Sequence, residues 1–217
     1  MSRGLSPCHD FTRQRDALCD RKNVPMEVVT EGTSPWRCVD MRGTIQNYFE
    51  KTKQYPNYFT NEDFSNICDD IKKEIDKGVF LIKRKDETDL SVFEEKYGYT
   101  LPTEISDYIN LFWHPCIRGY CNTKESIVLF PVLKKDGDSS DDIVFYKNSL
   151  ISMAKDWEKM GDIKKFIPIG WLGYSGGYVL YEVSSHNIFV ENMDVDGEVE
   201  DKPIANSLKE LINNMQV

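Results

Sequence analysis

Between Phe166 and Asp201 the chain runs through three short segments rich in β-branched and aromatic residues: FIPIG, YVLYEV and NIFVENM. Only a Gly-rich turn and a short polar turn separate them. Segments of this length with this punctuation read as strands joined in hairpins, so this part of the chain is committed to an antiparallel ribbon. Its charge is one-sided. These 36 residues contain no Lys and no Arg but seven carboxylates: Glu182, Glu191, Asp194, Asp196, Glu198, Glu200 and Asp201. A ribbon of that sign suits a basic partner and repels the phosphates of nucleic acid.

The whole chain points the same way. A formal charge of -9 and a pI near 4.9 argue against a nucleic-acid binder. No run of 18 apolar residues is present, so membrane insertion is not expected, although peripheral association is compatible with the sequence. The first residues contain no apolar segment of the kind a secretory signal needs. Six cysteines in 217 residues, in no tight framework, fit a reducing cytoplasm better than a disulfide scaffold.

Residues 1–40 differ from the remainder. They hold five Arg against one Lys and no Ile or Tyr, whereas residues 41–217 hold three Arg against eighteen Lys, seventeen Ile and all eleven Tyr. Six basic and six acidic residues cancel in this leader, so the net charge belongs to residues 41–217. No helical or strand period is visible in it. It is expected to be a poorly ordered leader or a non-native extension, with Met26 and Met41 as later possible starts; the rival reading is a partner-binding tail.

Helical spacing appears from Thr60 onward. Phe64, Ile67, Cys68, Ile71 and Ile75 share a face, with Thr60 or Asn61 to cap the start and Gly78 to end it. VFLIK then reads as a strand. Leu90, Phe93 and Tyr97 mark a short helix between Asp89 and Gly98. Pro102 is expected at the first position of another helix, with Ile105, Tyr108, Ile109 and Phe112 buried. SIVLFPV reads as a strand, KKDGDSSDD as a solvated loop, and IVFY as a short strand or helix lead-in. Asn148 or Ser149 would cap a helix burying Leu150, Met153, Ala154 and Trp157. After the ribbon, a terminal helix buries Leu208, Leu211, Ile212 and Met215. The expected class is α+β: a largely antiparallel sheet with helices packed on one face, in a single domain over 41–217.

Three pieces resemble, in order and spacing, the SMI1/KNR4 (SUKH) superfamily, which includes the SecY-interacting protein Syd. They are SVFEEKYGYTLPTEISDYINLF at 91–112, FIPIG with its Gly-rich turn and YVLYEV, and NIFVENMDVDGEVEDKPIANSLKELI at 187–212. Together the match covers about residues 60–217. It departs where family members often have an Asn-Gly-Gly-like turn after the Leu-Pro helix; HPCIRGYC stands there instead. The resemblance implies a protein-binding module without catalysis or cofactor. Many bacterial relatives are immunity proteins, or antitoxins, that neutralise a toxin domain. The Syd branch binds SecY at the cytoplasmic face of the membrane, where cytoplasmic loops are Lys/Arg-rich.

Three motifs invite other readings. Gly173-Tyr174-Ser175-Gly176-Gly177 matches G-x-S-x-G, but a nucleophile elbow needs a helix after the turn, and YVLYEV is strand-like. A serine hydrolase using Ser175, with His186 and Glu182 nearby in sequence, is therefore a distant alternative to a plain hairpin turn. Asn192 to Gly197 begins like a calcium loop, yet the position that should carry the bidentate Glu is Pro203. His114, Cys116 and Cys121 lack the tight pairing of a structural zinc site. A fourth ligand would have to come from Cys68 or His186, so they are read as a loop packed under the Leu-Pro helix, with cysteines as small apolar residues. No metal ligand and no catalytic residue is assigned.

The candidate partner-binding residues are therefore acids with aromatic anchors. Asp194, Asp196, Glu198, Glu200 and Asp201 would steer a basic protein, either a toxin domain or SecY cytoplasmic loops. Asp136, Asp138, Asp141 and Asp142 would extend the field. Among the interleaved rings (Trp171, Tyr174, Tyr178, Tyr181, Phe189), strand alternation sends some into the core. Trp171 and Tyr174 are the expected anchors. The competing reading of the same charge is solubility alone.

Overall fold

The ribbon recruits two further strands. In the computed structural model, which describes residues 40–52, 69–76, 81–85, 87–133, 150–195 and 197–216, β3 (Ile117–Gly119), β4 (Ile127–Leu129), β5 (Phe166–Leu172), β6 (Tyr178–Glu182) and β7 (Ile188–Val190) form one antiparallel sheet in sequence order. β5 is buried along its length except at Trp171, so both of its faces are covered. It carries Pro168, which cannot donate to a ladder, and the β5–β6 register shifts between Pro168 and Gly170. Gly170 is required by close approach: a Cβ there would collide with the Val128 carbonyl of β4.

A second sheet has two strands, β1 (Ile82–Lys83) and β2 (Phe112–Trp113). Just after β2, His114 pairs with Val132 beyond β4. HPCIRGYC is therefore bridge and strand rather than the loop expected from sequence. Its apolar residues extend the ladder instead of merely lying under a helix.

Six helices complete the described residues: α1 (Met41–Thr52), α2 (Asp69–Asp76), α3 (Ser91–Tyr97), α4 (Thr103–Asn110), α5 (Leu150–Trp157) and α6 (Leu208–Asn214). Four apolar stripes anticipated from spacing are buried: Phe93 and Tyr97 on α3; Ile105, Tyr108 and Ile109 on α4, with Phe112 just after; Leu150, Met153, Ala154 and Trp157 on α5; and Leu208, Leu211 and Ile212 on α6, with Met215 just after. Gly98 ends α3 with φ 74°, as the left-handed cap requires. Pro102 is one position earlier than expected: it is the N-cap of α4, in extended conformation, and the helix begins at Thr103. Ser207 caps α6 by accepting from Glu210 N at 3.0 Å, and Glu210 reaches back to Asn206 N at 2.9 Å.

Helix α1 has no counterpart in the sequence reading. It packs on α6 and α4, burying Met41, Thr44, Ile45, Tyr48 and Phe49. Asp40 starts it by accepting from Gly43 N. Tyr48 Oη donates to the Arg118 carbonyl and accepts from Arg118 N, both at 2.8 Å, which ties α1 to β3. Residues 1–39 of the leader, Thr60, Asn61, Gly78, and the 134–149 segment with its aspartates, Asn148 and Ser149 lie outside the described residues, while Asp40, the last residue of the leader, starts α1. No helix among those described is long and apolar enough to cross a membrane.

Candidate protein-binding face

The tight turn between β5 and β6 needs a backbone that most side chains forbid. Leu172 N donates to the Gly177 carbonyl at 2.7 Å and Gly176 N to the Leu172 carbonyl at 3.0 Å, with Gly176 at φ 78°. The turn is braced from outside by Glu125, in the β3–β4 connection, whose Oε2 accepts from Tyr174 N at 3.0 Å and Ser175 N at 2.7 Å. Those amides, Ser175 first, hold the Glu125 carboxyl below the usual carboxylate range. Tyr174 is consequently fixed at its backbone while its ring is 94% exposed. Nothing in the local pattern around Glu125 reveals this brace, because its partners lie 49 and 50 residues away.

The acidic segment after β7 is also ordered by its own backbone. Asn192 N donates to the Glu198 carbonyl at 2.9 Å, Glu200 N to the Val190 carbonyl at 3.0 Å, and Asp194 N to Asn192 Oδ1 at 3.0 Å. Gly197, at φ 77°, backs onto Met160, whose carbonyl a Cβ would strike. On this scaffold Asp194, Glu198, Glu200 and Asp201 are exposed, and no ion pair among the described residues involves them. Asp196, like Asp138, Asp141 and Asp142, lies outside the described residues.

The remaining ribbon carboxylates behave differently. Glu182 is held by Ser185 and by Lys165 at 3.8 Å, at the other end of β6. Glu191 is 9% exposed and accepts from Tyr178 N at 2.9 Å. Of the two expected anchors, Tyr174 stands in solvent, whereas Trp171 is half-buried, packed on the core and opposite Tyr178 in the strand pair. Met193, Val195 and Met160 are also exposed at this end of the sheet. They give the acidic surface an apolar component that the sequence reading did not include.

A cleft of about 680 Å³ opens between the β3–β4 connection, the β5–β6 turn and the acidic segment. Asp194, Glu200 and Asp201 line it, and Glu125 and Glu191 join them. Lys124 and Lys202 also line it. A segment free of Lys and Arg in sequence is therefore not free of cations in space, and five carboxylates face two ammonium groups around the cleft.

Ser175 sits in a strand–turn–strand, not at the entry to a helix. His186 occupies the turn after β6, so the full strand, roughly 13 Å from first to last residue, separates it from the serine turn. His114 is 1% exposed, with Nδ1 on the Pro115 carbonyl at 2.8 Å. Burial lowers its pKa to about 4 against weaker opposing hydrogen bonds, and the Arg84 charge adds to the depression. Cys116 is half-buried and Cys121 is buried. Among the described residues no group of three His, Cys, Asp or Glu is placed to hold a metal ion. Comparison of the chain with protein-family models finds no match, and comparison with curated proteins finds none.

Proposed function

We propose that the chain is a non-enzymatic, cytoplasmic protein-binding module of the SMI1/KNR4 class, with helices backing one face of its sheet. In this reading it neutralises a cognate basic toxin domain through its acidic face. The supporting observation is the set Asp194, Glu198, Glu200 and Asp201: exposed, without an ion-pair partner among the described residues, and held on a hydrogen-bonded segment near a fully presented tyrosine. Toxins that act on nucleic acid carry basic surfaces to hold phosphates, so an acidic module can occupy the same surface. The carboxylates would raise the association rate, and the exposed ring would supply contact area.

The test is affinity capture from the native host with the wild-type chain and with a variant carrying Asp194→Asn, Glu198→Gln, Glu200→Gln and Asp201→Asn. A basic protein retained by the first and lost by the second is expected, with an association rate that falls steeply as salt rises. Identical captures, or salt-indifferent binding, would sink the proposal.

A further inference from the structure

Two carboxylates in the cleft are fixed in place and have no ion-pair partner among the described residues. Glu125 and Glu191 flank the same β5–β6 turn, one from each side. Each is pinned through one oxygen: Glu125 Oε2 by Tyr174 N and Ser175 N, and Glu191 Oε2 by Tyr178 N. Neither forms an ion pair among the described residues, although Lys124 and Lys202 line the same cleft. Glu191 is the more demanding of the two. It is 9% exposed, and a carboxylate so far removed from water is costly unless an opposite charge accompanies it. Its one backbone donor offsets only part of that cost. The second Glu191 oxygen has no hydrogen-bond donor among the described residues, the Ser175 side chain also serves Glu125, and both groups line the cleft.

The rest of the lining has the matching character. Leu172, Val190 and Ile204, each 8–9% exposed, contribute apolar surface beneath the acids. Tyr174 projects from the same turn that Glu125 braces. A long cationic side chain needs this combination: apolar surface for its methylenes, fixed carboxylates for its head, and an aromatic face close by. At about 680 Å³ the cleft has room for more than one such side chain.

We propose that this cleft receives an arginine side chain, with its neighbouring residues, from a basic protein partner, and that Glu125 and Glu191 are the groups that bind its guanidinium. The inference rests on the acidic-face reading and refines it. Asp194, Glu198, Glu200 and Asp201 bring the partner in, while the two pinned carboxylates select a side chain. Arginine is favoured over lysine because two fixed acceptors suit a planar fork better than a point charge.

The test uses the whole chain, isotope-labelled for amide NMR, with the peptide acetyl-Leu-Arg-Leu-Arg-amide and its twin carrying neutral citrulline in place of arginine. Saturable shifts at the amides of Ser175, Gly177 and Asn192 are expected for the arginine peptide at low salt, at least tenfold weaker for the citrulline peptide. Ser175→Trp, placed at the mouth on an exposed turn, should abolish them while the rest of the spectrum stays in place. Glu191→Gln keeps an acceptor for Tyr178 N and should weaken binding about tenfold. Equal binding of the two peptides overturns the proposal. So do non-saturating shifts spread over other acidic surfaces, such as Asp69 and Asp70 of α2. The same saturable shifts from calcium chloride in place of the peptide would overturn it in favour of a metal cation. If the peptide fails but a basic protein still binds with dependence on Asp194, Glu198 and Glu200, the cleft is wrong and the acidic face stands. The face fails only when those substitutions leave protein binding unchanged.

Discussion

His114 and Asp194 are both polar side chains on irregular backbone next to a strand, and the fold treats them in opposite ways. His114 is enclosed by the rings of Phe49 and Tyr108, at 5.7 and 4.8 Å between centroids, and its Nδ1 meets the Pro115 carbonyl. Asp194 stands in water on a turn whose bonds are made by other atoms, its own amide included. The charge state of His114 is thereby coupled to folding, while the Asp194 side chain is left exposed for an encounter. Polar groups at the first kind of site report on stability, and those at the second report on binding. Substitutions can break that division.

The largest effect should come from the buried stripe of α4, the helix whose Tyr108 ring packs on His114. Ile105 is fully buried on α4, so Ile105→Ala should cost about 2–5 kcal/mol, read as a lowered denaturation midpoint with an unchanged slope. A loss no greater than that of a surface substitution would mean that this side is not the rigid half of the comparison.

The next effect depends on pH. The pKa of His114 is about 4 in the folded chain against an ordinary value of 6.5. Between those values the unfolded chain binds the proton and the folded chain does not. Stability is therefore complete above pH 6.5 and lost as the pH falls toward 4. The full swing is of order 3 kcal/mol. Arg84 opposes protonation from one side, and the Tyr108 hydroxyl, whose own pKa burial pushes well up, stays neutral throughout. Comparing thermal midpoints between pH 7.5 and 4.5 for the native chain and His114→Phe checks this. The native slope should be steeper, and parallel slopes would assign the effect to other groups.

What the sequence could and could not reveal follows the same division. The stripes of α3 to α6 were legible because their burial follows a local period of 3.6, and the strands β5 to β7 because short β-branched and aromatic runs lie between turn signals. The helix α1 carries a comparable stripe at Met41, Ile45, Tyr48, Phe49 and Thr52. It was missed because Gly43 sits in its first turn and Tyr, Phe and Thr are weak helix formers; packing on α4 and α6 decides it. The exposed acids were legible as charge. The brace from Glu125, the burial of Glu191 and the approach of Lys124 were not, since each depends on residues that only the sheet brings together. Trp171 and Tyr174, three residues apart and equal candidates by composition, diverge because one lies in the ladder and the other beyond it.

A smaller effect should separate the two kinds of acid within the cleft itself. Glu125→Ala removes the acceptor of two turn amides. Its carboxyl is held low by those amides, so the stability it contributes is present above the ordinary carboxylate pKa and fades as pH falls through the depressed value. Glu125→Ala should lower the thermal midpoint at pH 7 by less than Ile105→Ala does. The difference from the native chain should narrow in acid. A difference that stays constant down to pH 3 would mean that the carboxylate is not what braces the turn.

The smallest effect is the one that binding most needs. Neutralising Asp194, Glu198, Glu200 and Asp201 one at a time should leave the thermal midpoint within about 2 °C of the native value. Each is exposed, and no ion pair among the described residues is lost. Removing all four together should leave stability unchanged or slightly improved at low salt, because like charges on one short segment repel each other. Adding salt should erase that improvement, since exposed charges are screened within about 10 Å at 0.1 M. If the four substitutions instead destabilise the chain as much as a buried one, these carboxylates hold the fold together, and their exposure no longer argues for a partner.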